Sequence, residues 1–277
     1  QNKFKDKRIR FFIGDVRDEA RLDMALNEVD YVIHAAALKQ VPAAEYNPFE
    51  CIKTNINGAQ ALISASLKNK VKKVIGLSTD KACNPVNLYG ATKLCAEKLF
   101  VNGNQLSGTN NTKFSVVRYG NVISSRGSVI PFFQKLLKSG EKELPLTHNE
   151  MTRFFITLLD AVKFVINCLK TLEGGEVFIP KMPSIYIRDL IKIIDPKAKI
   201  KITSIRPGEK IHESLCSPDE SIALYQQNNY YTIYAANLYF KKKNGKKIKS
   251  GFSYNSGHKD FLNKNQIEKI IKKENIL

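Results

Sequence analysis

An apolar run, Val74-Ile75-Gly76-Leu77, ends in Ser78, Thr79, Asp80 and Lys81; a loop with Cys83, Asn84 and Pro85 leads on to Tyr89 and Lys93. Helix positions four apart share a face, so Tyr89 and Lys93 would stand side by side. A cation beside a phenol favours the phenolate and draws a tyrosine toward its working range. Such a pair can take a proton from a sugar hydroxyl while a nicotinamide accepts the hydride. The strand end before it adds a hydroxyl (Thr79), a carboxylate (Asp80) and an amine (Lys81). Tyr-x-x-x-Lys spacing by itself is common on helix surfaces. The polar strand end just upstream gives it weight.

The elements that must hold these groups can be read on either side. Residues 9–15 form a short apolar run closed by Gly14 and Asp15, expected to be a buried strand. Residues 31–37, 73–78 and 113–119 read as further strands. The apolar spacing predicts helices over 19–26, 48–68 and 88–103, the second with Ile52, Ile56, Ala59, Ile63 and Leu67 on one face. Strands that are apolar throughout and alternate with helices predict an α/β fold: a Rossmann-like parallel sheet with helices on both faces. Ligands in such sheets sit at the C-terminal strand ends. The polar clusters at 14–15, 34–39, 78–81 and 119–121 fall there and should meet in one crevice. Beyond residue 122 the pattern is less regular, with helices expected over 129–138, 158–172, 187–194 and 265–273 and strands near 151–154 and 176–179.

The 277 residues, 43% hydrophobic and 25% charged, are enough for a full core. No apolar run reaches membrane-spanning length and no signal peptide is visible. Five scattered cysteines without C-x-x-C spacing argue for reduced thiols in a cytoplasmic protein, with no disulfide framework and no metal site. A net charge of +18 invites a nucleic-acid reading. However, the lysines are dispersed, and only 241–249 is dense, near the C-terminus where a solvated loop is the default. The expectation is no nucleic-acid partner and a field that favours a small anionic substrate.

The sequence resembles the extended short-chain dehydrogenase/reductases that act on nucleotide sugars, and within them the configuration-inverting UDP-N-acetylglucosamine 4,6-dehydratases (5-epimerising) of the polysaccharide biosynthesis protein family. The resemblance runs in order through residues 10–18, 34–39, 45–48, 53–55, 78–81, 89–93, 117–122, 125–129, 151–153 and 206–210. It implies dehydration of UDP-N-acetylglucosamine for pseudaminic-acid, capsule or flagellin-glycan synthesis, with NAD or NADP bound and recycled, in a homo-oligomer. Tyr89, backed by Lys93, would remove the 4-hydroxyl proton, and Thr79 would hydrogen-bond the 4-oxygen. Lys81 would be the base at C5, given a depressed pKa from the cationic crowding with Lys93. Asp80 would protonate the departing 6-hydroxyl. Many other sugar-nucleotide dehydratases place an Asp-Glu pair where this chain has Asp80-Lys81. Implied cofactor contacts are Asp15 and Val16 at the adenine, Ala35, Ala36 and Ala37 along the ribose and pyrophosphate, Asn55 behind the nicotinamide, and Tyr89 and Lys93 at the nicotinamide ribose. Lys39, Asn121, Arg126 and Arg206 are implied substrate contacts, a guanidinium fork suiting phosphate. The expected division is an incomplete dinucleotide-binding domain over 1–122 that carries the catalytic residues, and a mainly substrate-binding lobe over 123–277 with some segments returning to the first.

Each role has a plainer alternative. Asp15 can be a turn or cap residue, Lys39 a solvated lysine, and Arg126 a helix cap. Arg206 can pair with Glu209, and Asp80 can be half of an inert ion pair with Lys81 or Lys93. His34, His212 and Glu213 read as structural. The family pattern opens with a strand, a glycine-rich turn and a helix N-terminus that hold the pyrophosphate. Gln1 corresponds to a point about one βαβ unit into that pattern. A fragment of a longer product, binding cofactor poorly and inactive or unstable alone, is therefore expected. Two other readings stay open: a 4-epimerase or reductase of the same fold, which needs Tyr89 and Lys93 but not Asp80 and Lys81, and a non-catalytic dinucleotide-binding remnant.

Overall fold

A computed structural model describes residues 6–123, 125, 127–234, 243–258 and 260–273. The chain opens with α1 (Glu19–Ala25), whose N-cap Asp18 accepts from Arg21 N, and β1 (Tyr31–His34) follows. Two short helices, α2 (Val41–Tyr46) and α3 (Pro48–Ile52), precede a π-helical turn over Lys53–Asn57 and then α4 (Gly58–Lys68). The single long helix expected over 48–68 is thus interrupted. The extra residue of the π-turn carries buried Asn55 into the interior, a common use of such turns at functional sites.

Next come β2 (Lys73–Thr79), α5 (Leu88–Gly103) and β3 (Lys113–Tyr119). β1, β2 and β3 are parallel; Thr79 lies opposite Tyr119, so β2 and β3 end level, whereas β1 ends at His34 opposite Gly76, three residues earlier. The strands are apolar because both faces are covered: Val74, Ile75, Phe114 and Val117 have no exposed surface.

The second half begins with β4 (Asn121–Val122), α6 (Val129–Lys138), β5 (Glu143–Leu146), β6 (Thr152–Ile156) and α7 (Leu158–Thr171). It continues through β7 (Glu176–Pro180), β8 (Ser184–Tyr186), α8 (Ile187–Ile194), β9 (Lys199–Ile202) and β10 (Ser214–Cys216). The last elements are β11 (Leu224–Gln226), β12 (Tyr230–Tyr234), β13 (Lys246–Lys247), β14 (Tyr254–Asn255) and α9 (Lys264–Lys273). The main sheet has seven strands in the order β1-β2-β3-β7-β12-β11-β13. It is parallel from β1 to β7 and antiparallel beyond, a mixed sheet rather than a purely parallel one. Small satellite sheets, β4-β6-β8, β5-β9 and β10-β14, carry the rest.

Residues 9–13 differ from expectation. They form no strand, and Phe11, Phe12 and Ile13 are 49%, 46% and 93% exposed. An apolar run becomes a strand only when a neighbour takes its hydrogen bonds. The outer edge of β1 carries no strand among the described residues, and Tyr31 and Ile33 there are also exposed. Instead, Phe12 lies beneath the guanidinium groups of Arg10 and Arg21. All five cysteines are unpaired; four are buried, and Cys95 on α5 is exposed. No helix among the described residues is long and apolar enough to cross a membrane.

Candidate active site

β2 ends at Thr79, and the chain turns at once into a single 3-10 turn over Asp80–Ala82. The Thr79 hydroxyl donates to Asp80 Oδ1 at 3.0 Å, and Lys81 Nζ donates to the same oxygen at 3.1 Å. Lys81 Nζ also pairs with Glu213 Oε1 at 3.2 Å. Asp80 and Glu213 are both buried, and among the described residues Asp80 Oδ2 and Glu213 Oε2 have no hydrogen-bond partner. One ammonium is therefore held between two buried carboxylates. Burial works against the Lys81 cation, but Asp80 and Glu213 outweigh it and its pKa rises. This corrects the expected depressed lysine: crowding by Lys93 does not govern Lys81, because the nearer charges are negative. Burial raises the Asp80 pKa and Glu213 raises it further against the pull of Lys81. Glu213 goes the other way: burial is outweighed by Lys81, Arg153 and Lys210, and its pKa falls.

α5 brings the phenol. Asn87 caps it by accepting from Gly90 N at 2.8 Å. The helix approaches the 3-10 turn so closely that a Cβ on Gly90 would lie 2.2 Å from the Lys81 carbonyl oxygen. Across the crevice a Cβ on Gly120 would meet Asp80 Oδ2 at 3.2 Å and the Phe154 side chain at 2.5 Å. These two glycines let Tyr89 and Asp80 share one small space. Burial pushes the Tyr89 phenol up to about 12, while the Lys81 ammonium and the Thr79 hydroxyl favour its ionised form. Lys93 is 6% exposed and donates to the Leu77 carbonyl at 2.7 Å. Burial takes it down to about 8 against the opposing pull of Glu97. Lys81 is the cation with the largest pull on Tyr89.

The second half closes on this centre through a loop. Lys210 Nζ donates to the Cys83 carbonyl at 2.8 Å, and Asn87 Nδ2 donates to the Gly208 carbonyl at 2.8 Å. The same loop holds Arg206, 70% exposed at its side chain and paired with Glu209 at 3.0 Å, the plainer of its two expected arrangements. Lys39 is brought near Lys81, and burial together with that ammonium lowers its pKa. Asn121 leads out of β3 into β4, and its buried Oδ1 has no partner among the described residues. Arg126 lies outside the described residues.

The residues expected at the cofactor fall into two groups. Ala35, Ala36 and Ala37 follow the C-terminal end of β1, the first two exposed and the third half-buried. Asn55 is buried and spent on the protein: its Oδ1 accepts from Leu38 N at 2.8 Å, and its Nδ2 donates to the Leu38 carbonyl and to Thr92 Oγ1, both at 2.9 Å. It clamps the loop after β1 to the Tyr89 helix. Asp15 sits in an exposed ion-pair chain, paired with Arg17 at 2.7 Å, and Arg17 reaches Glu50 at 2.6 Å. Arg17 holds the Asp15 carboxyl down at about 2. Val16 packs near Gly58 at the start of α4.

Residues 1–235 match a family model described as a polysaccharide biosynthesis protein. The chain belongs to that family. A UDP-N-acetylglucosamine 4,6-dehydratase (inverting) from Campylobacter jejuni is 55% identical over 258 residues, which cover 90% of this chain and 77% of the relative. A UDP-glucose 4-epimerase from Rickettsia canadensis is 45% identical over 230 residues, 82% of this chain and 67% of the relative. The X-ray structure of Pen from Bacillus thuringiensis superposes with a TM-score of 0.92 at 37% identity, covering all of this chain and 86% of that one.

Within this family member, sequence reading passed over a second charged cluster directly beneath the site. Arg118, next to the last residue of β3, donates to both Glu97 oxygens at 3.0 and 2.6 Å and to both Glu220 oxygens at 2.9 and 2.8 Å. Glu97 lies one helical turn after Lys93 and also accepts from Ser78. An arginine inside the apolar run of residues 113–119 was a legible signal, because a buried charge requires a partner. Its partners, from α5 and from residue 220, carried no local mark.

Proposed function

We propose that the chain dehydrates UDP-N-acetylglucosamine to the 4-keto-6-deoxy sugar with inversion at C5, using NAD(P) bound and recycled, for pseudaminic-acid, capsule or flagellin-glycan synthesis. The carrying observation is the ion pair of buried Asp80 with half-buried Lys81, both acting on Tyr89. Exchange of a 4-hydroxyl needs only the phenol and Lys93. Elimination of water needs an acid and a base beside them.

The residues present fit the nicotinamide-ribose end of a dinucleotide. Lys93 uses one proton on Leu77 and has two more to donate. Tyr89 stands one turn away, and the small side chains Ala35 to Ala37 leave the strand end open. Lys93 and Tyr89 would hold the nicotinamide ribose of a dinucleotide, which when bound would supply reversible hydride transfer for the oxidation at C4 and the reduction at C6. Tyr89 takes the 4-hydroxyl proton, and Thr79 hydrogen-bonds the 4-oxygen. The 4-ketone acidifies C5, and Lys81, in its amine form, takes the C5 proton. Asp80 gives its proton to the 6-oxygen as the C6–O bond breaks, releasing water. A solvent-exchangeable proton returns to C5 from the opposite face. Lys39, Asn121, Arg126 and Arg206 are proposed for the UDP-sugar, with the Arg206 fork turned from Glu209 to phosphate. A cytoplasmic site of action and self-association belong to the same proposal. Tyr46 and Phe49, 87% and 76% exposed at α2 and α3, are apolar groups for such a contact.

The test is product analysis after incubation with UDP-N-acetylglucosamine and NADP or NAD in D2O. The expected product has lost water and carries deuterium at C5, and Asp80→Asn slows its formation by roughly 10²–10⁴-fold. The 45% identity to a 4-epimerase favours a second reading. A 4-epimer formed without loss of water, and undisturbed by Asp80→Asn, would establish that one instead. Absence of both products and of dinucleotide binding would leave the remnant reading.

A further inference from the structure

The proposed chemistry asks two things of groups that start in the wrong state. Lys81 must act as an amine, yet it rests as an ammonium between two carboxylates. Asp80 must arrive protonated, yet aspartates are ionised at neutral pH. Both demands meet at Glu213, which comes from the loop leading into β10. Its backbone is fixed there: Glu213 N donates to Ser256 Oγ at 3.0 Å, and Ser256 N donates to the Glu213 carbonyl at 2.8 Å. Ser256 is in turn hydrogen-bonded to Thr152, and Thr152 to His212 Nδ1.

We propose that Glu213 is a positioning residue that works as the proton reservoir of the dehydration, sharing the Lys81 ammonium with Asp80 so that Asp80 rests as the acid, and receiving the Lys81 proton when Lys81 must act as a base. The inference rests on the dehydratase reading. The geometry assigns the proton to one oxygen. Asp80 Oδ1 accepts from both Thr79 and Lys81 and so serves as the carbonyl oxygen, whereas buried Oδ2 accepts from nothing among the described residues and carries the hydrogen. Glu213 remains the anion because Lys81, Arg153 and Lys210 together outweigh its burial. Lys81, Arg153 and Lys210 act on Glu213, and Lys81 and Arg153 on Asp80, with Tyr89 as its other titratable neighbour and Lys39 as the further cation near Lys81. Two carboxylates whose surroundings drive them to opposite protonation states form an acid–base pair.

The protons balance around one Nζ. At rest Asp80 is neutral, Lys81 is an ammonium and Glu213 is a carboxylate. Lys81 passes a proton 3.2 Å to Glu213 Oε1, and its freed amine takes the C5 proton. Asp80 Oδ2 gives its proton to the 6-oxygen as the C6–O bond breaks and the electron pair leaves with oxygen. The Glu213 proton then returns through Lys81 to Asp80 Oδ1 across 3.2 and 3.1 Å, and rotation of the carboxyl restores the resting form. Glu213 touches neither substrate nor cofactor.

Infrared spectroscopy of the purified chain tests this without turnover. The wild type is expected to keep a protonated-carboxyl band at neutral pH that Asp80→Asn removes. Glu213→Gln should abolish that band at the same pH, its titration midpoint falling by roughly one pH unit or more, while Glu213→Asp restores it. A wild type without the band, a band that survives Asp80→Asn, or one unmoved by Glu213→Gln would each overturn the proposal. Should Glu213→Gln not fold, the wild-type, Asp80→Asn and Glu213→Asp spectra still decide. In turnover, Glu213→Gln should lower kcat for water loss by about tenfold or more at unchanged KM, with C4 oxidation continuing. If the wild type forms no dehydrated sugar, the functional reading fails while the spectra still report on Glu213.

Discussion

Lys93 shows how one residue couples this site to the stability of the whole chain. It is buried, its ammonium donating to the Leu77 carbonyl, and burial takes its pKa to about 8 from an ordinary 10.5. Below pH 8 the folded chain carries the cost of a buried cation. Between pH 8 and 10.5 the unfolded chain still binds a proton that the folded one has released, so stability rises with pH across that window. Lys93→Met lacks this term. The difference in unfolding free energy between wild type and Lys93→Met should therefore shift in favour of the wild type by about 3 kcal/mol from pH 7 to pH 10.5, measured by denaturant titration at both. The chemistry-bearing stretch from Thr79 to Lys93 was legible in the sequence because its groups are close in the chain. The charge state of Lys81 was not, because it is set by Glu213, more than a hundred residues away. Reading Lys81 from its lysine neighbour alone gave the wrong sign.

Elements explain why those residues meet at all. α5 is pressed against the 3-10 turn with no room for a side chain at Gly90. Alanine in a helix interior normally stabilises by about 1 kcal/mol relative to glycine. Here Gly90→Ala should reverse that sign and destabilise by about 1–3 kcal/mol through overpacking, lowering the thermal midpoint, and should reduce dehydration by moving Tyr89 away from Asp80. Helix boundaries were readable where caps and periodicity agree: 88–103, 129–138 and 187–194 hold without adjustment. The break at Lys53–Asn57 was hidden because its apolar spacing continues across a π-turn. What imposes that turn is the set of hydrogen bonds Asn55 makes to Leu38 and Thr92, and these involve other elements.

At the scale of the molecule, Arg118 is the tie between halves. It joins Glu97 on α5 to Glu220 from beyond β10, with its own side chain 2% exposed. Removing one partner of a buried pair strands the other. Arg118→Met should therefore cost about 3–5 kcal/mol in denaturant unfolding, because two carboxylates lose their shared cation. Strand order beyond β7 was unreadable for a related reason: antiparallel β12 and β11 complete the sheet through pairings that leave no local signature. The lone exposed cysteine lies on this same framework. Cys95 is two residues from Lys93 on the helix that spans the 3-10 turn and the Arg118 tie, while the other four thiols are shielded in the fold. A maleimide dye offered to the native protein thus has a single attachment point, and it sits on the back of the helix whose front holds the phenol. The site helix can thus be labelled at one defined place with no engineered handle.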